Sequence, residues 1–260
     1  MSARIEDAGD RIIVWNGNTA RRGALSPELY TCIKDASNLA QEPRIRAIIL
    51  ASDGPFFCAG GDLNVLIAGQ TSSEAERRER IEDLHDVVRA IRSSPVPVIA
   101  AVKGGAAGAG ASLALACDLI VAETGALFTA AYVKAGLVPD GGLTASLARL
   151  VPRILAMEMC LLARPVSADK LLALGVVTAT APADEVIVQA QALADALAAG
   201  PRVAIGAIRQ MVNTAYDQTE AEQLDVERNA MARASGGTEA AEGIAAFLEK
   251  RSPRFGQCAA

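Results

Sequence analysis

The chain has 260 residues, 51% hydrophobic and 21% charged, with 25 Lys and Arg against 30 Asp and Glu and a net charge of -5. That balance suits one large core. It provides no basic stripe for nucleic acid, and 3% aromatic residues make no stacking platform for bases.

The opening "MSARIEDAGDRIIVW" has no apolar signal region. Asp, Lys or Arg break the apolar runs before the roughly 18 residues that a membrane span needs. The cysteines, Cys32, Cys58, Cys117, Cys160 and Cys258, are odd in number and form no CxxC pair, which points to reduced thiols and a cytoplasmic location. His85 is the single histidine, so no Cys/His cluster for zinc or another metal is expected.

In chain order, Ile- and Val-rich runs predict strands over residues 11–15, 47–51, 96–102 and 119–122. Ser26, Pro27 and Glu28 form a helix start, and Leu29, Ile33, Ala36 and Ala40 then share one face. Residues 52–63, "SDGPFFCAGGDL", open with a turn, expose Phe56 and Phe57, and run through small residues to Asp62, near which a helix begins. "GQTSS" at 69–73 is linker-like, and 73–92 predict a charged amphipathic helix in which His85, Glu82 and Asp83 read as a solvated or packing face. Strands alternating with helices argue an α/β fold. A second small-residue run, "KGGAAGAGASLALACD" at 103–118, contains a helix predicted over 111–117, and Asp118 at the next strand start reads as structural. Beyond residue 143 the pattern is helical, with one more strand over 176–180 and three amphipathic helices over 202–251. Ala204, Ile208, Met211, Val212 and Ala215 form an apolar stripe in that tail.

The two glycine-rich runs each lie between a strand and a helix. A small-residue turn at a helix N-terminus presents backbone N–H groups where the helix dipole is positive. Two such groups converging on one point would hold a developing oxyanion. Neither run fits the G-x-G-x-x-G or G-x-x-x-x-G-K-[ST] phosphate patterns. Cys58 and Cys117 read as small core residues, since no histidine is placed to activate them.

"FCAGGDL", "AAVKGGAAGAGASLALACDLIVA" and "GLVPDGGLTASLARLV", with "RRGALSPELY" before them and "FLEKRSPRF" after, together resemble the crotonase (enoyl-CoA hydratase/isomerase) superfamily. The motifs look most like its epoxyphenylacetyl-CoA and enoyl-CoA isomerases. The resemblance implies a crotonase-like ββα spiral core over residues 1–200 and a C-terminal helical trimerisation region over 201–260. It implies an acyl-CoA thioester substrate, with coenzyme A arriving as part of the substrate and no separate cofactor. The expected assembly is a homotrimer or a dimer of trimers, with no nucleic-acid or membrane partner.

Carried over residue by residue, the resemblance assigns the thioester oxygen to the N–H groups of Gly61 and Ala109. It places Arg22, Ala24, Leu25, Ala59, Gly60, Asp62, Leu63 and Gly108 along the coenzyme and thioester, with Asp62 also capping the turn. Lys250 is expected to meet coenzyme phosphates, often those of a neighbouring subunit. The two glutamates of the family's hydratases fall on Ser112 and Tyr132. Neither residue is a base near neutral pH, which argues against addition of water by the paired-glutamate route. Asp140 falls where the family's isomerases keep a proton-shuttling acid. The resemblance therefore implies an isomerase that uses Asp140 as general base and acid; the alternatives are a hydratase or lyase, or a non-catalytic acyl-CoA-binding homologue.

Overall fold

The computed structural model describes residues 3–257; Cys258 and the last two residues of the expected C-terminal region lie outside it. The chain runs through β1 (Ala3–Asp7), β2 (Arg11–Asn16), α1 (Pro27–Leu39), β3 (Ala47–Ser52), α2 (Leu63–Ala68), α3 (Glu74–Ser93), β4 (Val98–Val102), β5 (Gly105–Ala107), α4 (Ala109–Ala116), β6 (Leu119–Glu123) and β7 (Leu127–Thr129). It continues through α5 (Leu143–Leu150), α6 (Arg153–Leu162), β8 (Val166–Ser167), α7 (Ala168–Ala173), β9 (Ala179–Ala181) and α8 (Val186–Ala198). Three helices end it: α9 (Arg202–Thr214), α10 (Glu220–Ser235) and α11 (Thr238–Leu248).

A large sheet, β1-β2-β3-β4-β6-β9, is parallel except at its edge, where β1 runs antiparallel to β2. A small sheet, β5-β7-β8, lies beside it. Successive passes put one strand in the large sheet and the next in the small one: β4 then β5, β6 then β7. Helices complete the passes, so the mixed α/β fold is the expected spiral of ββα turns.

The central strands are buried on both faces, and their side chains alternate between two apolar clusters. Ile48, Leu50, Val98 and Ala100 meet Leu29 and Ile33 of α1 and Leu84, Val87 and Ile91 of α3. Ile49, Ala51, Ile99 and Ala101 meet Val186, Ala190 and Ala194 of α8. The start of α1 is as predicted: Ser26 Oγ accepts from Leu29 N at 3.3 Å, with Pro27 in the first turn. Ser73 is not linker. It closes a capping box with Glu76 that starts α3.

Several expectations are corrected. Strand β4 begins at Val98 rather than residue 96, because Val96 N turns to Ser94 Oγ while Val98 N meets Asp118 Oδ2. Over 176–180 only the end joins the sheet: Val176 and Val177 N–H groups close α7 on Leu171 O, and pairing begins at Ala179. Helix α4 starts two residues early, at Ala109, and ends at Ala116. Phe57 is buried, not exposed, with its N–H donating to Lys103 O at 2.8 Å.

Asp118 is structural, as expected, and its partner comes from far along the chain. Arg209 of α9, itself buried, donates to Asp118 Oδ2 at 2.6 Å and to the carbonyls of Arg92 and Ser94 at 2.9 and 2.6 Å. Asp118→Ala would leave that guanidinium buried without its counter-charge. We expect a loss of about 3–5 kcal/mol of stability, measured as a lower urea midpoint at unchanged slope.

Candidate active site

The two glycine-rich runs meet through their main chains. Cys58 bridges Ala106 in parallel, and Ala107 N donates to Cys58 O at 2.9 Å. Gly60 has φ +93°, and a Cβ there would lie 2.7 Å from Ala107 O and 3.1 Å from Ala109 N. A Cβ on Gly110 would lie 2.2 Å from Cys58 O. Side chains are missing here because backbone occupies their space. Gly108, the residue before α4, turns the chain with φ 53° and ψ −129°. Ala109 opens the helix, so its N–H precedes the helix's own hydrogen-bond ladder. Gly61 follows Gly60 on the exposed side of the same contact.

The segment expected to hold coenzyme A is pinned to this contact. Ala59 N donates to Arg22 O at 3.0 Å, and Leu25 N to Gly60 O at 2.9 Å. Arg22, at φ 52°, lays its guanidinium 4.2 Å from the centre of the Phe56 ring. Ala24 and Leu25 are buried, and the Leu25 side chain belongs to the main core, so these two residues present main chain rather than side chains. Asp62 caps α2 by accepting from Asn64 N at 2.9 Å and pairs with Arg21. Leu63 begins α2, whose Leu63, Val65, Leu66 and Ile67 are all exposed.

Asp140 is brought to Ser112 and Tyr132. The Tyr132 hydroxyl donates to Asp140 Oδ1 at 2.8 Å. Ser112 Oγ, fully buried, donates to Asp140 O at 2.9 Å and lies 3.1 Å from the Tyr132 oxygen. Gly141 packs on the same serine, since a Cβ there would lie 2.9 Å from Ser112 Cβ. Burial, then the charge of Asp140, pushes the Tyr132 hydroxyl above the usual tyrosine range. The ordinary value is already near 10, so Tyr132 is a donor here and not a base.

Tyr30 is a further neighbour that sequence reasoning passed over. Burial raises its pKa first, and the charge of Asp140 raises it next, ahead of Cys58 and Asp83. Its only sequence signal is its place at the end of "RRGALSPELY", beside Leu29 on α1. Val138, 81% exposed, and Leu137 add apolar surface just before Asp140.

Other candidates fall outside this cluster. Burial pushes the Cys58 thiol up to about 12, and a Gly60 N–H contact offsets only part of that. Burial also raises Cys117, with Asp118 adding to it. His85 lies 3.4 Å from Glu82 on the outer flank of α3, and Glu82 is held by Arg89. Lys250 is exposed past the end of α11, which packs on α10. Among the described residues no side-chain bond joins Lys250 to Asp140, whose side-chain partners are Ser112 and Tyr132.

The cradle makes a sharp distinction between adjacent glycines. Gly60→Ala would force a Cβ into the Ala107 carbonyl at a positive φ and should destabilise by about 1–3 kcal/mol. Gly61→Ala, whose nearest contact would be Leu66 Cδ1 at 3.9 Å, should unfold at nearly the wild-type urea concentration. Equal midpoints for the two variants would contradict the close approach.

Comparison with known proteins places this geometry. The Enoyl-CoA hydratase/isomerase family matches residues 18–258. The chain is 37% identical over 229 residues to the 1,2-epoxyphenylacetyl-CoA isomerase of Escherichia coli K12, covering 88% of this chain and 86% of that protein. It is 30% identical over 254 residues to enoyl-CoA hydratase EchA19 of Mycobacterium tuberculosis, covering 97% and 96%. The crystal structure of an enoyl-CoA hydratase from Polaromonas sp. JS666 superposes with a TM-score of 0.94 at 40% identity, covering 96% of this chain and 98% of that one. With motifs, fold and relatives in agreement over nearly its whole length, the chain belongs to the enoyl-CoA hydratase/isomerase (crotonase) family.

Proposed function

We propose that this enzyme is an acyl-CoA isomerase that moves a double bond, or rearranges an epoxide ring, next to a coenzyme A thioester. The observation that carries the reading is Asp140, bonded by two hydroxyls. The two positions where the resemblance expects hydratase glutamates hold Ser112 and Tyr132, and both bond to Asp140. The relative named 1,2-epoxyphenylacetyl-CoA isomerase favours the same reading.

In this mechanism Asp140 takes a proton from the carbon α or γ to the thioester. The electron pair moves into the carbonyl, and the N–H groups of Gly61 and Ala109 donate to the oxygen that gains charge. Asp140 then returns the proton to another carbon. Coenzyme A lies along residues 22–25 and 59–63 as part of the substrate, with Gly108 behind the thioester, and neither metal nor separate cofactor takes part. Relatives named enoyl-CoA hydratase favour a second reading, addition of water. A panel of 2-enoyl- and 3-enoyl-CoA thioesters separates the two. Isomerisation yields a product of unchanged mass, whereas hydration yields a 3-hydroxyacyl product heavier by one water. Asp140→Asn should keep thioester binding and lower turnover by about 10²–10⁴. Exclusive formation of the hydroxyacyl product, or undiminished turnover in that variant, would overturn the reading.

We further propose that residues 201–260 assemble the chain into a trimer or a dimer of trimers in the cytoplasm, bringing Lys250 towards a neighbour's coenzyme phosphates. The support is the apolar surface of the tail: Ile208, Val212, Ile244, Phe247 and Leu248 are all exposed on one chain. Light scattering at micromolar concentration should give a trimeric or hexameric mass. Lys250→Ala should weaken CoA-thioester binding at low salt, and by less at high salt, because exposed charge pairs are screened beyond about 10 Å at 0.1 M. A fully active monomer would rule this assembly out.

A further inference from the structure

Asp140 is held asymmetrically. Its Oδ1 accepts the Tyr132 hydroxyl at 2.8 Å, and among the described residues nothing bonds Oδ2. Its main chain is fixed as well, since Ser112 Oγ donates to Asp140 O at 2.9 Å and Gly141 packs against the Ser112 side chain. Turning the carboxylate about its Cβ–Cγ bond would exchange the two oxygens, and the Tyr132 bond opposes that turn. We propose that Tyr132 is a positioning residue that commits Asp140 to proton transfer through Oδ2, so that the proton taken from the substrate is the one given back. The proposal rests on the isomerase reading above.

The chemistry balances without any co-reactant. In the first step the C–H bond breaks as the Oδ2–H bond forms, and the electron pair moves to the thioester oxygen. In the second the Oδ2–H bond breaks, the pair returns, and a new C–H bond forms at the other carbon. Tyr132 keeps its own proton throughout: burial opposes its ionisation, and so does the carboxylate while Asp140 is charged. While Oδ1 is clamped, the carried proton stays on the substrate side. A carboxyl group free to turn would offer that proton to water between the two steps.

The test is isomerisation in deuterated water, counting deuterium in the product per turnover. The unmodified enzyme should incorporate less than one atom per turnover. Tyr132→Phe should lower kcat by about 10- to 100-fold, the effect of one hydrogen bond to a charged group. It should leave KM for the thioester little changed and raise deuterium uptake per turnover. Ser112→Ala, which loosens the same clamp from the main-chain side, should raise uptake in the same direction by less, and it serves where phenylalanine unsettles the fold. A lower kcat with unchanged uptake in these variants would make Tyr132 merely structural and overturn the proposal, as would wild-type kcat in Tyr132→Phe. Hydration by the unmodified chain would overturn the isomerase reading and this proposal together, and that result is read before any variant is made.

Discussion

The site depends on one main-chain contact, the approach of Gly60 to the Ala107–Ala109 turn. A Cβ on Gly60 would stand 2.7 Å from a carbonyl oxygen, so no other residue keeps the two runs together. The rest of the cradle hangs from this contact. The Cys58–Ala106 bridge falls within β5, so the strand that the chain enters after β4 also holds the loop at 58–61. The bonds from Ala59 and Leu25 then tie in the segment at 22–25. A cradle built of main chain lies at fixed depth against two sheets, and hydrogen bonds rather than side-chain rotamers determine its shape.

Asp140 is held in a different way, by side chains rather than by sheets. Two carboxylates a few ångströms apart repel, and one is driven toward its neutral form. Here two hydroxyls take the neighbouring places, Tyr132 donating to the carboxylate and Ser112 to the main-chain carbonyl of Asp140. The Asp140 carboxylate thus has a fixed orientation, and its charge adds to burial in keeping Tyr132 protonated. Tyr132 orients Asp140, and Asp140 in turn opposes the ionisation of Tyr132.

Much of this was legible in the sequence, for physical reasons that differ by element. The strands at 11–16 and 47–52 announce themselves because β-branched residues fill both faces of a central parallel strand. Strands β5, β7 and β8 run two or three residues and leave too short a pattern to read. Val176 and Val177 mislead because their apolar side chains suit a strand while their N–H groups close a helix. The glycine runs signalled the cradle as missing bulk, without revealing that each run was the other's reason. Ser112, Tyr132 and Asp140 span 28 residues with no periodicity to connect them, and only the family resemblance brought them together. Tyr30 and Arg209 went unnoticed because their partners are distant in sequence.

Helix α9 departs from the usual order of a surface helix. Helix α9 is tied to the body through polar groups. Arg209 reaches the end of α3, Arg202 donates to the Ala40 and Ile45 carbonyls at 2.9 Å each, and Glu239 of α11 caps the α9 start through Val203 N and Ala204 N. Arg209 is its only buried residue among those described, while Ile208 and Val212 stay exposed. Phe247 on α11 is 83% exposed. A helix anchored by polar side chains, with Val203, Ile208 and Val212 turned outward, leaves part of its apolar surface uncovered by its own chain. Its apolar face is stabilised only when another surface covers it, which supports the assembly proposed for the tail. Arg209, bonded to Asp118 before β6 and to the end of α3, ties α9 to the core, so the apolar face would be presented from a firmly anchored helix.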